Sequence, residues 1–238
     1  MKKTWLLILL LGLPLLTSCA PPFPTISGSG HVVTRDERIS GFDRVDAGHT
    51  FRVDVRQGER FGVVVRIDDN LLDYLVLEKQ GSTLNIGLEP NRSYRRYTAE
   101  AEVTMPELAG LGLSGASQGT VTGFSSGKTL RIRVSGASQL RGDIEAGDTW
   151  IEVSGASEMT LKGSADDLDV NASGASVVDL ADFSVRDADL DASGASKITV
   201  DASGTLNVDA SGASMVTYLG SPRMGRVDTS GSSSVRRR

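Results

Sequence analysis

The chain has 238 residues, of which 39% are hydrophobic and only 5% aromatic, and it contains 27 glycines. This composition can bury a core, and it is more typical of small-residue β architectures than of helix-rich enzymes. Two histidines and one cysteine leave little room for a zinc site, a disulfide framework or a Cys/His catalytic pair. The net charge of -5 disfavours nucleic acid as a partner, because phosphate binding requires an excess of lysine and arginine.

The first 18 residues have the features of a secretory signal. Two lysines precede an apolar run from Trp5 to Leu16, which is too short for the roughly twenty residues that span a bilayer. The run leads into Leu16-Thr17-Ser18-Cys19, which resembles the bacterial lipobox and implies cleavage before Cys19 and lipidation of that residue. The alternative is an ordinary secretory signal with an incidental cysteine. We predict a lipoprotein signal peptide over 1–18 and no transmembrane helix in the mature chain.

Residues 19–38 are predicted to form a tether that begins at the lipidated cysteine. Prolines make residues 21–24 stiff and extended, and the segment Ile26-Ser27-Gly28-Ser29-Gly30 is loose. The residue after the cysteine is Ala20 rather than aspartate. By resemblance to lipoprotein sorting in Gram-negative bacteria, this favours the outer membrane over the inner membrane.

Residues 39–106 read as irregular N-terminal coils and their cap. Alternating apolar residues and turn signals predict strands, with a short helix over Asn70–Leu77 and a polar loop over Asn91–Tyr97. A cap is expected here because the end of a repeat protein must be covered, and exposed strand edges invite aggregation.

Residues 107–235 form a repeat. The tetrapeptide Ser-Gly-Ala-Ser, or its last variant Ser-Gly-Ser-Ser, recurs at intervals of 18 to 21 residues. The copies begin at Ser114, Ser135, Ser154, Ser173, Ser193, Ser211 and Ser230. Apolar residues alternate with polar ones on both sides of each copy, which predicts a strand, a bend and a strand. We predict an all-β, single-domain, right-handed parallel β-helix with coils of about 19–20 residues, because a short fixed period indicates a solenoid and parallel crossovers are right-handed. The sequence lacks the motifs of leucine-rich repeats and of calcium-binding nonapeptide repeats, and a propeller blade would need about forty residues.

Each part of the tetrapeptide has a predicted structural role at a corner of the coil. Glycine adopts positive φ or allows close backbone packing, and the serine hydroxyls bond along the stack or back to the turn. The alanine is expected to fill a narrow inner corner, so Ala156 and Ala175 should be buried. A catalytic role for these serines is disfavoured, because they recur seven times while His31 and His49 both lie upstream of the repeat. The last three residues, 236–238, form a basic tail.

Together these motifs resemble the auto-transporter adhesin head domain, also called the head GIN domain. The resemblance extends over roughly residues 39–235. It is carried by Ile39-Ser40-Gly41-Phe42-Asp43-Arg44-Val45, Val53–Gly58, Asp69-Asn70-Leu71-Leu72, Leu84-Asn85-Ile86, Val103-Thr104-Met105-Pro106-Glu107-Leu108 and the Ser-Gly-Ala-Ser series. It implies a right-handed β-helix on the envelope of bacteria, and it brings no catalytic residues with it.

The residues two and four positions before each tetrapeptide should point outward. Among them four aspartates, Asp169, Asp189, Asp191 and Asp209, are expected to cluster because successive coils are about 4.8 Å apart. They could bind a cation or a polar ligand, but a solvated face is favoured, since calcium needs six or more converging oxygens. No metal, cofactor or catalytic residue is predicted.

The sequence favours a lipid-anchored, non-catalytic envelope protein, adhesin-like or structural, whose β-helix surface binds polysaccharide or an envelope protein. The alternative is a β-helix polysaccharide lyase or hydrolase, which would need a groove walled by long loops. The nearly constant coil length argues against such loops. An envelope sensor or assembly factor is a third possibility that the sequence does not separate from the first.

Overall fold

The computed structural model describes residues 24–238 and is almost entirely β. The predicted signal peptide over 1–18 and the predicted lipidation site at Cys19 lie outside the described residues. In the described part of the chain, no helix has the length and apolar character needed to cross a membrane.

The repeat region forms a β-solenoid in which each strand pairs in parallel with its counterpart in the next coil. Its strands are β10 (Gly110–Leu113), β11 (Gln118–Ser125), β12 (Leu130–Val134), β13 (Gln139–Glu145), β14 (Thr149–Val153), β15 (Glu158–Ala172), β16 (Val177–Ala192), β17 (Lys197–Ala202), β18 (Thr205–Ala210), β19 (Met215–Gly220), β20 (Arg223–Thr229) and β21 (Ser234–Arg237). Their pairings confirm the predicted parallel β-helix, with register partners 18 to 21 residues apart across most of the stack.

Two sheets meet at the Ser-Gly-Ala-Ser corners. The front sheet contains β10, β12, β14, the C-terminal halves of β15 and β16, β18 and β20. The back sheet contains β11, β13, the N-terminal halves of β15 and β16, β17, β19 and β21. Both long strands bend as they pass from the back sheet to the front sheet, and Gly163 allows this in β15 with a φ of 113°.

The solenoid core consists of the side chains that alternate inward along both sheets. Ile132 and Val134 in the front sheet and Met159 and Leu161 in the back sheet are each no more than 1% exposed, as the alternation predicted. Because each sheet contributes the same two inward positions in every coil, the core is one continuous apolar column.

The corner differs from the prediction, because its alanines point outward and its last serines point inward. Ala156 and Ala175 are exposed, whereas Ser157 and Ser176 are almost completely buried. The same serine is buried in every Ser-Gly-Ala-Ser copy: Ser117, Ser138, Ser157, Ser176, Ser196 and Ser214.

Polar satisfaction explains why serine rather than alanine occupies the inner position. The Ser214 hydroxyl lies 2.9 Å from the carbonyl oxygen of Ser211 in its own turn and 3.1 Å from that of Ala192 in the preceding coil. The chain must turn at the corner, so backbone carbonyls converge inside it, and a small hydroxyl donor satisfies them where a methyl group cannot. The predicted bonding along the stack and back to the turn is therefore confirmed.

The glycine of each corner is required for two reasons. Gly174 has a φ of 75°, and a Cβ added there would lie 2.6 Å from the carbonyl oxygen of Gly155 in the preceding coil. That carbonyl accepts a hydrogen bond from the Ala175 N–H at 2.8 Å, so the backbone ladder continues through the corner.

Residues 24–105 form the first coil and the cap. The strands are β1 (Thr25–Ser27), β2 (Val32–Glu37), β3 (Arg44–Ala47), β4 (Arg52–Gln57), β5 (Gly62–Asp68), β6 (Leu75–Gln80), β7 (Thr83–Leu88), β8 (Ser93–Arg95) and β9 (Ala99–Met105). A 3-10 helix, Asp69–Tyr74, lies where a short helix over 70–77 was predicted. Strands β3 and β4 extend the front and back sheets, and β7 and β9 follow them in parallel.

Antiparallel strands end the stack at the cap. Strand β6 pairs antiparallel with β7, and β5 pairs antiparallel with both β9 and β2. Reversal of strand direction interrupts the parallel ladder, which is one way to protect the end of a solenoid from further pairing.

The second half of the predicted tether is part of the folded cap, which corrects the boundary at residue 38. Strand β1 pairs with β8, inside the predicted polar loop over 91–97, and β2 pairs with β5. The buried Asp68 carboxylate accepts hydrogen bonds from the Gly30 N–H at 2.5 Å and the Thr98 N–H at 2.6 Å. Backbone pairing and this carboxylate thus outweigh the flexibility of the glycine- and serine-rich segment.

Candidate functional site

The outer surface of the front sheet, here called the front face, carries two rows of outward side chains. Each coil contributes one residue to each row, at the positions four and two residues before its corner. From the cap onward, the first row contains Arg44, Gly110, Arg131, Trp150, Asp169, Asp189 and Asn207, and the second contains Asp46, Gly112, Arg133, Glu152, Asn171, Asp191 and Asp209. The repeat-region members that the sequence predicted to point outward do so.

A trough crosses the front face at β10, because its two outward residues, Gly110 and Gly112, have no side chains. The Arg44 side chain lies beside Gly110, where an added Cβ would be 3.2 Å from Arg44 Cγ, and the Asp46 carboxylate lies against Gly112. Larger residues at these two positions would displace the side chains of the neighbouring strand.

One wall of the trough is formed by β12 and supported by β14. The Arg131 guanidinium lies over the Trp150 ring, 5.1 Å from its centroid, and Arg133 forms an ion pair with Glu152 at 3.2 Å. The Trp150 ring is 38% exposed, so this cation–π pair lies at the surface.

At the corner side of the trough lies a cavity of about 460 Å³, lined in part by Val76, Leu88, Leu113 and His49. His49 occupies the corner of the first coil, at the place that glycine takes in the repeats, and has a φ of 56°. Its Nδ1 lies 3.4 Å from the Leu88 N–H, and burial lowers the pKa of its imidazole. The ring is therefore neutral at pH 7 and can accept a hydrogen bond there.

The four aspartates predicted to cluster lie together on the front face. Asp169 is the register partner of Asp189, and Asp191 is that of Asp209, so the cluster spans three adjacent strands. Burial, followed by the charges of Asp191 and Asp189, raises the pKa of Asp169. Within residues 24–238, no three His, Cys, Asp or Glu side chains are grouped closely enough to hold a metal ion.

On the front face, β12 thus carries two outward arginines and the strands from β15 to β18 carry the four clustered aspartates, while Asp46, Glu152 and Arg226 place some of the opposite charge in each half. Sequence reasoning identified the aspartates and the outward Arg131, Arg133 and Trp150 but missed the trough and the His49 cavity. The trough was predictable, because Gly110 and Gly112 lie four and two positions before Ser114, where the sequence analysis expected outward residues. The cavity was not, because it depends on the antiparallel β6–β7 hairpin.

A family model described as "Putative auto-transporter adhesin, head GIN domain" matches residues 41–222. The chain belongs to this family. The match includes the first coil, most of the cap and six of the seven corners, so the head GIN domain is the solenoid itself. No curated protein matches the chain.

Several crystal structures resemble the head GIN domain described above. A protein from Bacteroides fragilis titled a putative adhesin has a TM-score of 0.84 at 18% identity, over 89% of this chain and 99% of that one. A Parabacteroides distasonis protein titled a putative lipid binding protein has a TM-score of 0.73 at 22% identity, over 90% and 99%. A Parabacteroides merdae protein, also titled a putative adhesin, has a TM-score of 0.68 at 14% identity, over 90% and 98%. At these identities the likeness establishes the shared fold.

Proposed function

We propose that this protein is a lipid-anchored, non-catalytic module of the bacterial cell envelope that uses its front face to bind polysaccharide or another protein. The observation that carries the proposal is the form of that face: a flat, regularly spaced array of side chains crossed by the Gly110–Gly112 trough. Coils of nearly constant length leave the array open along the stack, which suits extended partners. The family and the structures titled as adhesins support the same interpretation.

The anchor is proposed from Leu16-Thr17-Ser18-Cys19. In a Gram-negative host we expect the protein to fractionate with the outer membrane and its mature N-terminus to be a lipidated Cys19. The substitution Cys19→Ala should release the protein or block its processing, whereas Ser18→Ala, which keeps a small residue before the cleavage site, should not. Mass spectrometry of the N-terminal peptide checks this, and an unmodified terminus at another residue would refute the anchor.

The polysaccharide lyase or hydrolase is the second candidate, and the raised pKa of Asp169 is the observation in its favour. A carboxyl group with a raised pKa beside ionised carboxylates is a feature of general acids. Against it, the aspartates lie on an open face without walls that exclude water. A glycan array tests whether the front face binds polysaccharide, and incubation with a panel of acidic and neutral polysaccharides should produce no new reducing ends. Turnover that disappears in Asp169→Asn would favour the enzyme.

A further inference from the structure

Two strands of the front face carry opposite charges at corresponding positions. Strand β12 presents Arg131 and Arg133, and β16, three strands further along the sheet, presents Asp189 and Asp191. At about 4.8 Å per strand, the two pairs lie roughly 14 Å apart. Among the ion pairs of the described residues, none involves Arg131, Asp189 or Asp191.

The register makes these two pairs complementary to each other. Arg131 and Asp189 belong to the first row, and Arg133 and Asp191 belong to the second. Consider a two-fold axis that lies between two facing copies, runs parallel to the strands and passes between β14 and β15. In the second copy this axis reverses the order of the strands along the stack, but each residue stays in its own row. Applied to two front faces in contact, it places Arg131 opposite Asp189 of the second copy and Arg133 opposite Asp191. Each contact occurs twice, as in any isologous interface.

The strands next to these pairs are compatible with this arrangement, whereas the outermost strands are not. The glycine trough of β10 lies opposite the Asn207 and Asp209 side chains of β18, and β14 lies opposite β15. The outermost strands, β3 and β20, would bring like charges together, because Asp46 lies opposite Asp228 and Arg44 opposite Arg226 of the second copy. We therefore confine the contact to the six strands from β10 to β18. These six strands, of about five residues each, give a footprint of roughly 480 Å² per copy, or about 950 Å² in total, which is the size of a weak, transient interface.

We propose that the front face binds the front face of a second copy of this chain, with the two solenoids antiparallel. The arginines alone would also fit an acidic polysaccharide. However, an extended acidic chain lying along the stack would be repelled by the four aspartates of the other half, whereas a second copy satisfies both halves at once.

The antiparallel arrangement determines where the two N-termini lie. The cap, which contains the first described residue, Pro24, is at opposite ends of the two solenoids. If Cys19 anchors the protein as proposed, the pair would therefore join two facing membranes rather than two molecules in one membrane. The protein partner of the proposed function would then be the same protein on a neighbouring surface.

Charge reversal tests the interface directly. The full-length protein, purified in detergent, should self-associate, and raising the salt concentration should weaken the association. Two double variants test the charge pairs: Arg131→Glu with Arg133→Glu, and Asp189→Arg with Asp191→Arg. Each should weaken self-association more than about tenfold, because like charges then face each other. When the two variants are mixed, every contact again joins opposite charges. Analytical ultracentrifugation should therefore detect a mixed dimer in which each variant is present once.

Two controls separate this interface from a general effect of charge or folding. Arg141→Glu with Lys197→Glu makes the same change in net charge as the double arginine variant, but on exposed positions of the back sheet, and should leave self-association unchanged. Circular dichroism melting should show that all variants fold. A wild-type protein that stays monomeric, a back-sheet variant that loses association equally, or a mixture that does not associate would each overturn the proposal.

Vesicle clustering tests the orientation. Lipidated protein in phosphatidylcholine vesicles should cluster them, and vesicles carrying the two front-face variants separately should cluster only when mixed. Vesicles that incorporate the protein but do not cluster, although the protein dimerises in detergent, would refute the antiparallel arrangement. Failure to incorporate into vesicles would count against the anchor, while the dimer in detergent would still test the interface.

Discussion

At the scale of single residues, the corner places two small side chains in opposite environments. Ala175 is exposed and Ser176, its neighbour in sequence, is completely buried. The two positions therefore form a matched pair for measuring what the interior of the corner tolerates.

We expect Ser176→Leu to destabilise the solenoid and Ala175→Leu to leave it nearly unchanged. The buried substitution must push apart the stacked backbones and removes the hydroxyl that lies 3.4 Å from the Val153 carbonyl oxygen, at a cost of about 3 kcal/mol. The exposed substitution should change the free energy of unfolding by less than about 0.5 kcal/mol. Urea titration followed by circular dichroism measures both, and equal effects would show that the corner is not packed as described.

The pH dependence of stability should report on Asp169. Burial and the neighbouring carboxylates of Asp191 and Asp189 raise its pKa above the ordinary value of 3.8. The folded protein then binds this proton more tightly than the unfolded chain, so stability is lost as the pH rises from 3.8 through the folded-state pKa. We expect Asp169→Asn to raise Tm by a few degrees at pH 7 and to have little effect below about pH 3.

Asp209→Asn is the control for that measurement. The Asp209 carboxylate lies 3.8 Å from the Arg226 guanidinium, so its neutralisation removes an attraction as well as a repulsion. Its substitution should not raise Tm at pH 7. A similar rise in both variants would indicate a general effect of net charge rather than the local cluster around Asp169.

At the scale of elements, the corner glycines allow the coils to stack at normal strand spacing. We expect Gly174→Ala to cost about 2 kcal/mol or more, because the positive φ disfavours any side chain and the added Cβ would clash with the Gly155 carbonyl oxygen. Gly127→Ala is the control, since nothing lies within 4 Å of a Cβ added there. Thermal melting of the two variants should differ by several degrees, and equal melting temperatures would contradict the stacked corner.

The strands of the repeat were predictable from the sequence, whereas those of the cap were only partly so. In the repeat, inward residues such as Ile132 and Ile151 recur at the same position of each coil, and one alternating pattern therefore determines both strand and register. Strands β1 and β2 lack such repetition, and their pairing depends on contacts such as those of Asp68, which composition does not indicate. The corner was mispredicted because the small alanine was expected to fill its interior, whereas a serine lies there whose hydroxyl donates to backbone carbonyl oxygens such as that of Ser211.

At the scale of the whole molecule, one coil is an interchangeable unit. We expect deletion of residues 154–172 to leave a folded, shorter solenoid, because Val153 would then lead directly into the equivalent corner at Ser173. Stability should fall, since one nearest-neighbour interface is lost. Deletion of residues 154–163 removes half a coil and should abolish cooperative melting. Circular dichroism and small-angle X-ray scattering would distinguish the two, and unfolding of both variants would mean that the coils are not equivalent.

The near-identity of the corners also has a genetic consequence. Segments that encode the same Ser-Gly-Ala-Ser turn at almost constant intervals are suited to unequal recombination, and each in-frame exchange would add or remove a whole coil. The corner would accept the new neighbour without change, because its hydrogen bonds involve only backbone atoms and the recurring serine. The length of the domain could therefore vary between strains in steps of about 4.8 Å, leaving the cap and the last coil untouched.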